Sequence, residues 1–305
     1  MILPELTELV MLRGAAHGLS LHAHRSALAQ LKGGHRSAQR GRGLEFEEVR
    51  LYSAGDDART IDWRVTARRG KPHTKLFREE RERPVWIVAD LHPGLYFGSR
   101  RQFKSALLLR AAALLAWVAA LGGDRIGAVI ADGADGNADA ALRILPARSR
   151  EAGVLPILDA LAACQPRAPG VGAAGNLQRA LTTLLPLLQP GSLLLLLSDF
   201  AGLDPAVEDL LRAATAHSDC RLLWLTDPLE RRGLPAGAHR VGVPQRLSWM
   251  DGNGSRTAWQ AAWAEREQRL TTLASKLNVP LIGLDTANAF PDTLIELLKT
   301  PKWAA

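Results

Sequence analysis

"SLLLLLSD", residues 192–199, decides the fold. Five consecutive leucines cannot alternate between a core and solvent, so a strand made of them is covered on both faces, as in a parallel sheet flanked by helices. Asp199 then stands at the carboxyl end of that strand, where open sheets of this kind meet their ligands. Two further runs share the design: "VWIVAD" (85–90) ends in Asp90 and "CRLLWLTD" (220–227) ends in Asp227.

Outward from these runs, strand and helix patterns alternate. "RRQFKSALLLRAAALLAWVAALGG" (100–123) reads as a long helix closed by glycines. "DRIGAVIAD" (124–132) and "AALRILPA" (140–147) read as the next two strands, joined by the turn-rich "GADGNAD". Helices are expected near 149–163, 176–188, 205–216, 256–276 and 290–299, with a last strand in "VPLIGLD" (279–285). The series implies an α/β fold, a doubly wound, mostly parallel, Rossmann-like sheet with helices on both faces. Residues 228–255 interrupt it and read as an excursion carrying a short hairpin. The sheet domain is thus expected over 84–305, behind an N-terminal extension over 1–83. That extension has helical periodicity over about 3–13 and 18–31, a basic loop "KGGHRSAQRGRG" and a strand near 73–79.

The 305 residues, 47% hydrophobic and 23% charged, belong to a folded globular chain rather than a disordered one. The net charge of +7 admits an acidic partner, but arginine-rich bacterial compositions reach such values unaided, and the charges do not gather in one block. Cys164 and Cys220 lack C-x-x-C spacing and fit buried thiols in a reducing compartment. The N-terminal "MILPELTELVMLRGAAHG" has no basic leader before a long apolar core, so no signal peptide is expected. The apolar run "LTTLLPLLQPGSLLLLLSDF" is broken by Pro186, Pro190 and Gly191, so no membrane span and a cytoplasmic location are expected.

Chemistry has few footholds. Asp90 and Asp199, at two strand ends, could converge on a hard cation such as Mg²⁺ through oxygen ligands; alternatively, strand-end aspartates cap helices or receive loop amides. No phosphate-binding glycine loop and no G-x-S-x-G elbow occurs. His17, His22, His24 and His35 include an H-x-H pair, a zinc fragment without further ligands nearby, or simply a polar helix face.

One stretch is dense in charge. "GLEFEEVRLYSAGDDARTIDWRVTARR" (43–69) carries the acids Glu45, Glu47, Glu48, Asp56, Asp57 and Asp62 among Arg50, Arg59, Arg64, Arg68 and Arg69. Carboxylates at this density suit a two-metal nuclease or phosphodiesterase. Yet an arginine accompanies almost every acid, and guanidinium competes for the oxygens a metal needs. The residues favour an ion-pair lattice, with Gly55 in a turn and Trp63 as an apolar anchor.

This stretch closely resembles the signature of the domain of unknown function 58 family: Glu45 and Phe46, Arg50 and Tyr52, Gly55, Asp56, Asp57 and Arg59, then Ile61, Asp62, Trp63, Ala67 and Arg68. The resemblance runs on through "REERERPVWIVAD" and implies a von Willebrand factor A-like domain. Such domains often carry a metal-ion-dependent adhesion site, with Asp-x-Ser-x-Ser after the first strand, a Thr in a later loop and an Asp after the fourth strand. Here Asp90 and Asp199 match, but His92, Gly94 and Gly175 stand where hydroxyl ligands belong. The resemblance therefore implies a degenerate metal site, with no required cofactor and at most a weakly held Mg²⁺. It also implies a non-enzymatic adaptor or chaperone-like role beside a MoxR-type AAA+ ATPase and a protein client. The rivals are a metal-dependent phosphodiesterase using the acids of 45–62, and a nucleic-acid binder using "KGGHRSAQRGRG" and "RRGK". The second lacks interleaved aromatics, so no nucleic acid is expected.

Overall fold

The computed structural model describes residues 3–21, 44–53, 58–79, 82–132, 142–171, 175–243, 246–300 and 303, with the backbone alone at 44–48 and 75–79. The chain divides into two compact units, Met1–Ser26 with Arg83–Ala305, and Ala27–Glu82. The smaller unit ends at Glu82 and holds the signature stretch, while the first helices group with the sheet.

Two short helices open the chain, α1 (Leu6–Met11) and α2 (Arg13–Ala16). In the smaller unit, β1 (Leu44–Leu51) runs antiparallel to β2 (His73–Glu79), with a bulge between Phe46 and Glu48. Between them lie a 3-10 turn (Ala58–Thr60) and helix α3 (Trp63–Arg69). Asp62 caps α3 by accepting from the amides of Arg64 (3.0 Å) and Val65 (3.1 Å). Gly70, in the left-handed region at φ 68°, ends it. Most of the second expected helix (18–31), the basic loop, and the histidines His22, His24 and His35 lie outside the described residues.

The larger unit continues through β3 (Pro84–Ala89), α4 (Lys104–Leu121), β4 (Arg125–Ile130), β5 (Arg143–Ser149), α5 (Glu151–Cys164), α6 (Asn176–Leu184) and β6 (Leu193–Ser198). It ends with α7 (Pro205–Thr215), β7 (Asp219–Thr226), α8 (Pro228–Arg232), the hairpin β8 (Ala238–Val243) and β9 (Arg246–Asp251), α9 (Gly252–Leu277), β10 (Leu281–Asp285) and α10 (Asp292–Leu298). Six strands form one sheet in the order β10-β7-β6-β3-β4-β5. All neighbours are parallel except the edge pair β4–β5. The doubly wound, mostly parallel architecture and the hairpin-bearing excursion are as the sequence leads one to expect.

The leucine run has a simple explanation. Leu193, Leu195 and Leu197 belong to one core, with Val85, Ile87, α4 and α5; Leu194 and Leu196 belong to the other, with Trp86, Val88, α6, α7 and α9. Each face of the strand is thus sealed by helices. By length and composition, α4 could cross a membrane, contrary to the expectation that no stretch is apolar enough, yet most of it is buried within the fold. Its outer side is covered by the N-terminal helices. Leu9 is fully buried, and its carbonyl accepts from Trp117 Nε1 at 3.1 Å.

Candidate functional site

The chain leaves β3 toward β4 and β5, then returns to β6 on the other side of β3. That reversal leaves a crevice at the carboxyl ends of β3 and β6, where open sheets place their ligands. Asp90 and Asp199 both line it, together with His92, Gly94, Gly175 and Glu230, around a cavity of about 510 Å³. The residues matched to the adhesion-site pattern therefore meet in one place.

What fills their centre is a side chain. Lys104, only 2% exposed at the first turn of α4, sends Nζ 2.8 Å from Asp199 Oδ2 and 2.7 Å from Glu230 Oε1. His92 Nε2 lies 3.4 Å from Asp199 Oδ1, which also accepts from the Ala201 amide at 3.0 Å. Arg266 of α9 donates to the Asp199 carbonyl at 2.7 Å. The second aspartate is held by a hydroxyl, with Ser198 Oγ donating to Asp90 Oδ2 at 2.6 Å. Phe200, just past Asp199, holds a left-handed φ of 54°, uncommon outside glycine, as the chain turns under the crevice.

Electrostatics follow from these contacts. Burial would raise the Asp199 carboxyl, but Lys104, His92 and Arg266 hold it well below the usual carboxylate range. Burial opposes the Lys104 ammonium, and the charges of Asp199 and Glu230 overcome that and raise its pKa. Burial likewise works against a charged His92, and the hydrogen bond and charge of Asp199 outweigh it, moving His92 up. Asp90 is pushed up by burial, against His92 and the Ser198 hydroxyl.

A hard divalent ion does not fit this donor set. It needs several oxygens. Asp199 Oδ2 is held by an ammonium, His92 offers imidazole, which suits softer metals, and Gly94 and Gly175 offer no side-chain donor. Among the described residues no group of three or more His, Cys, Asp or Glu is arranged to hold a metal ion.

Beside the crevice, Asp227 is a structural tie. It accepts from the Ser99 amide (2.7 Å), the Ser99 hydroxyl (2.5 Å), the Thr286 hydroxyl and the Leu229 amide (2.8 Å). It begins a capping box that Glu230 completes by accepting from the Asp227 amide at 2.9 Å. Burial would raise Asp227, and the hydroxyls of Ser99 and Thr286 lower it.

The signature residues lie in the smaller unit. Glu45 and Phe46 stand on β1 opposite Arg78 and Phe77. Arg50 donates to the Leu51 carbonyl at 3.0 Å, and the Tyr52 amide donates to the Pro72 carbonyl at 2.9 Å. Gly55, Asp56 and Asp57 lie outside the described residues. Arg59 and Arg68 are exposed, on the 3-10 turn and in the last turn of α3. Trp63, the first residue of α3, is 69% exposed, so it is displayed to solvent rather than packed as the expected apolar anchor.

Lys104, Glu230 and Arg266 escaped the sequence reading. Two signals were there: a lone lysine opening an otherwise apolar helix, and the "DPLE" spacing of a capping box at 227–230.

The family described as "Protein of unknown function DUF58" matches residues 48–267. Uncharacterized protein Rv1480 of Mycobacterium tuberculosis and Uncharacterized protein Mb1516 of Mycobacterium bovis are each 33% identical over 217 residues, 71% of this chain and 66% of their own length. Among solved structures, the conserved hypothetical protein BatB of Bacteroides thetaiotaomicron aligns with TM-score 0.43 and 12% identity, over 70% of this chain and 96% of that one. An aerotolerance-related membrane protein of Bacteroides fragilis aligns with TM-score 0.42 and 12% identity, over 71% and 96%. With the family match running from within β1 to within α9 and taking in the crevice residues, this chain belongs to the DUF58 family.

Proposed function

We propose that this chain is a non-enzymatic adaptor that binds a MoxR-type AAA+ ATPase and a protein client, with the strand-end crevice as part of its docking face. The observation that carries the reading is the Lys104 ammonium between Asp199 and Glu230. Together with His92 and Arg266 it offsets the charges of Asp199 and Glu230, carboxylates that a metal-dependent or acid–base reaction would use, and leaves a polar recess with a fixed, built-in cation. The sheet order, with its single antiparallel edge, supports the von Willebrand factor A-like reading, and the signature stretch supports the ATPase as partner. Co-expression with a MoxR-type ATPase from the same organism, followed by affinity capture with and without ATP, tests it. Co-purification in at least one nucleotide state is expected, and absence of the ATPase under both conditions would contradict the reading.

A further inference from the structure

A second cavity, of about 480 Å³, lies against α8, and its chemistry is the reverse of the crevice. Its lining includes Arg100 from the loop before α4, Arg232 from α8, and Arg256 and Gln260 from α9. No carboxylate lines it among the described residues, and none of the three guanidiniums has a partner there. This contrasts with arginines nearby: Arg231 pairs with Asp285 at 2.7 Å, Arg266 is held by Asp199, and Arg269 pairs with Glu208 at 2.8 Å. Three guanidiniums from three elements around one cavity make it locally positive, and an anion bound there is favoured.

The elements that carry them are fixed. Trp259 Nε1 donates to the Glu230 carbonyl at 2.8 Å and Gln260 Nε2 to the Arg232 carbonyl at 3.5 Å, which pins the end of α8 to α9. Ser99, next to Arg100, is tied to Asp227. The floor is apolar, made by Pro228, Leu229 and Leu234.

We infer that this cavity binds an acidic segment of a partner protein, with carboxylates on the arginines and an apolar side chain on the floor. Guanidinium pairs bidentately with carboxylate and with phosphate alike, so the arginines alone admit a nucleotide. The rest of the lining favours a peptide: among its described residues there is no aromatic ring to stack a base, and no glycine-rich phosphate loop adjoins it. The site stands whether or not the partner is an ATPase.

Fluorescence anisotropy with labelled Asp-Leu-Glu-Leu-Asp-Glu tests it, with Asn-Leu-Gln-Leu-Asn-Gln as the neutral control and ATP as competitor. The acidic peptide is expected to bind saturably and the neutral one not. Arg100→Ala, Arg232→Ala and Arg256→Ala should each weaken binding by about 10-fold, as loss of a charge-assisted hydrogen bond does. Arg167→Ala, which removes the same charge from an exposed loop, should leave it unchanged. All four side chains are exposed, and far-UV circular dichroism checks that each variant is folded. Failure of the acidic peptide to bind, equal weakening by Arg167→Ala, or binding of ATP without binding of peptide would each overturn the inference.

Discussion

At the scale of single residues, Lys104 carries the account. Removing one partner of a buried ion cluster leaves the others uncompensated, at a cost of about 3–5 kcal/mol. Lys104→Met should lower the unfolding free energy in urea by that amount, because Asp199 and Glu230 both lose their ammonium. Adding Asp199→Asn should recover part of the loss. A change under about 1 kcal/mol in the single variant would show that the cluster is not coupled to folding.

His92 gives a prediction in pH. Asp199 raises its folded pKa above the ordinary value of about 6.5, so its stabilising contribution is complete below that value and lost as pH rises through the folded pKa. Thermal midpoints should fall as pH rises from about 6.5 through that raised pKa, and His92→Gln should flatten that slope. A slope unaltered in the variant would assign it to another group. Asp199 acts in the opposite direction, contributing above about pH 3.9 and losing its contribution as pH falls through its lowered pKa. Asp90 and Asp199 were legible because a strand-end acid has one place to be. Lys104 was not, because a lysine in the first turn of a helix reads as a solvent-facing charge until the sheet that buries it is known.

At the scale of elements, hydrophobic patterning located almost every strand and helix of the sheet unit, since buried parallel strands leave long unmixed apolar runs. It did not announce β1, whose "LEFEEVRL" mixes charge with apolar residues and shows no regular alternation. Nor did it tell that α1 and α2 cover α4, because an amphipathic pattern marks an apolar face without naming what lies against it. Close approach is a sharper constraint. A Cβ on Gly127 of β4 would stand 2.8 Å from a Trp86 ring carbon and 2.9 Å from the Leu145 carbonyl, both too near to relax. Gly127→Ala should therefore destabilise the fold by roughly 1–3 kcal/mol, the range for overpacking a filled core, read from the same urea titration. In the smaller unit, Asp62→Ala removes two cap hydrogen bonds from α3. It should cost that helix about 1 kcal/mol, seen as faster amide exchange at Thr66 and Gly70, whose amides bond within the helix. Exchange unchanged in the variant would mean the cap does not hold the helix.

At the scale of the whole molecule, two compact units carry two kinds of information. The family signature sits in one, and the crevice with its internal cation sits in the other, beside the arginine-lined cavity. The sequence pointed to the first by register and to the second by strand ends, but the neutralisation of the crevice arises only when α4, α8 and α9 are folded over β6. That neutralisation is the central claim, and isothermal titration of Mg²⁺ into the full chain and its Asp90→Ala variant tests it most directly. The account predicts no saturable heat below about 1 mM in either protein, weaker than ordinary protein sites for hard cations. Saturable binding by the wild type that Asp90→Ala abolishes would contradict it.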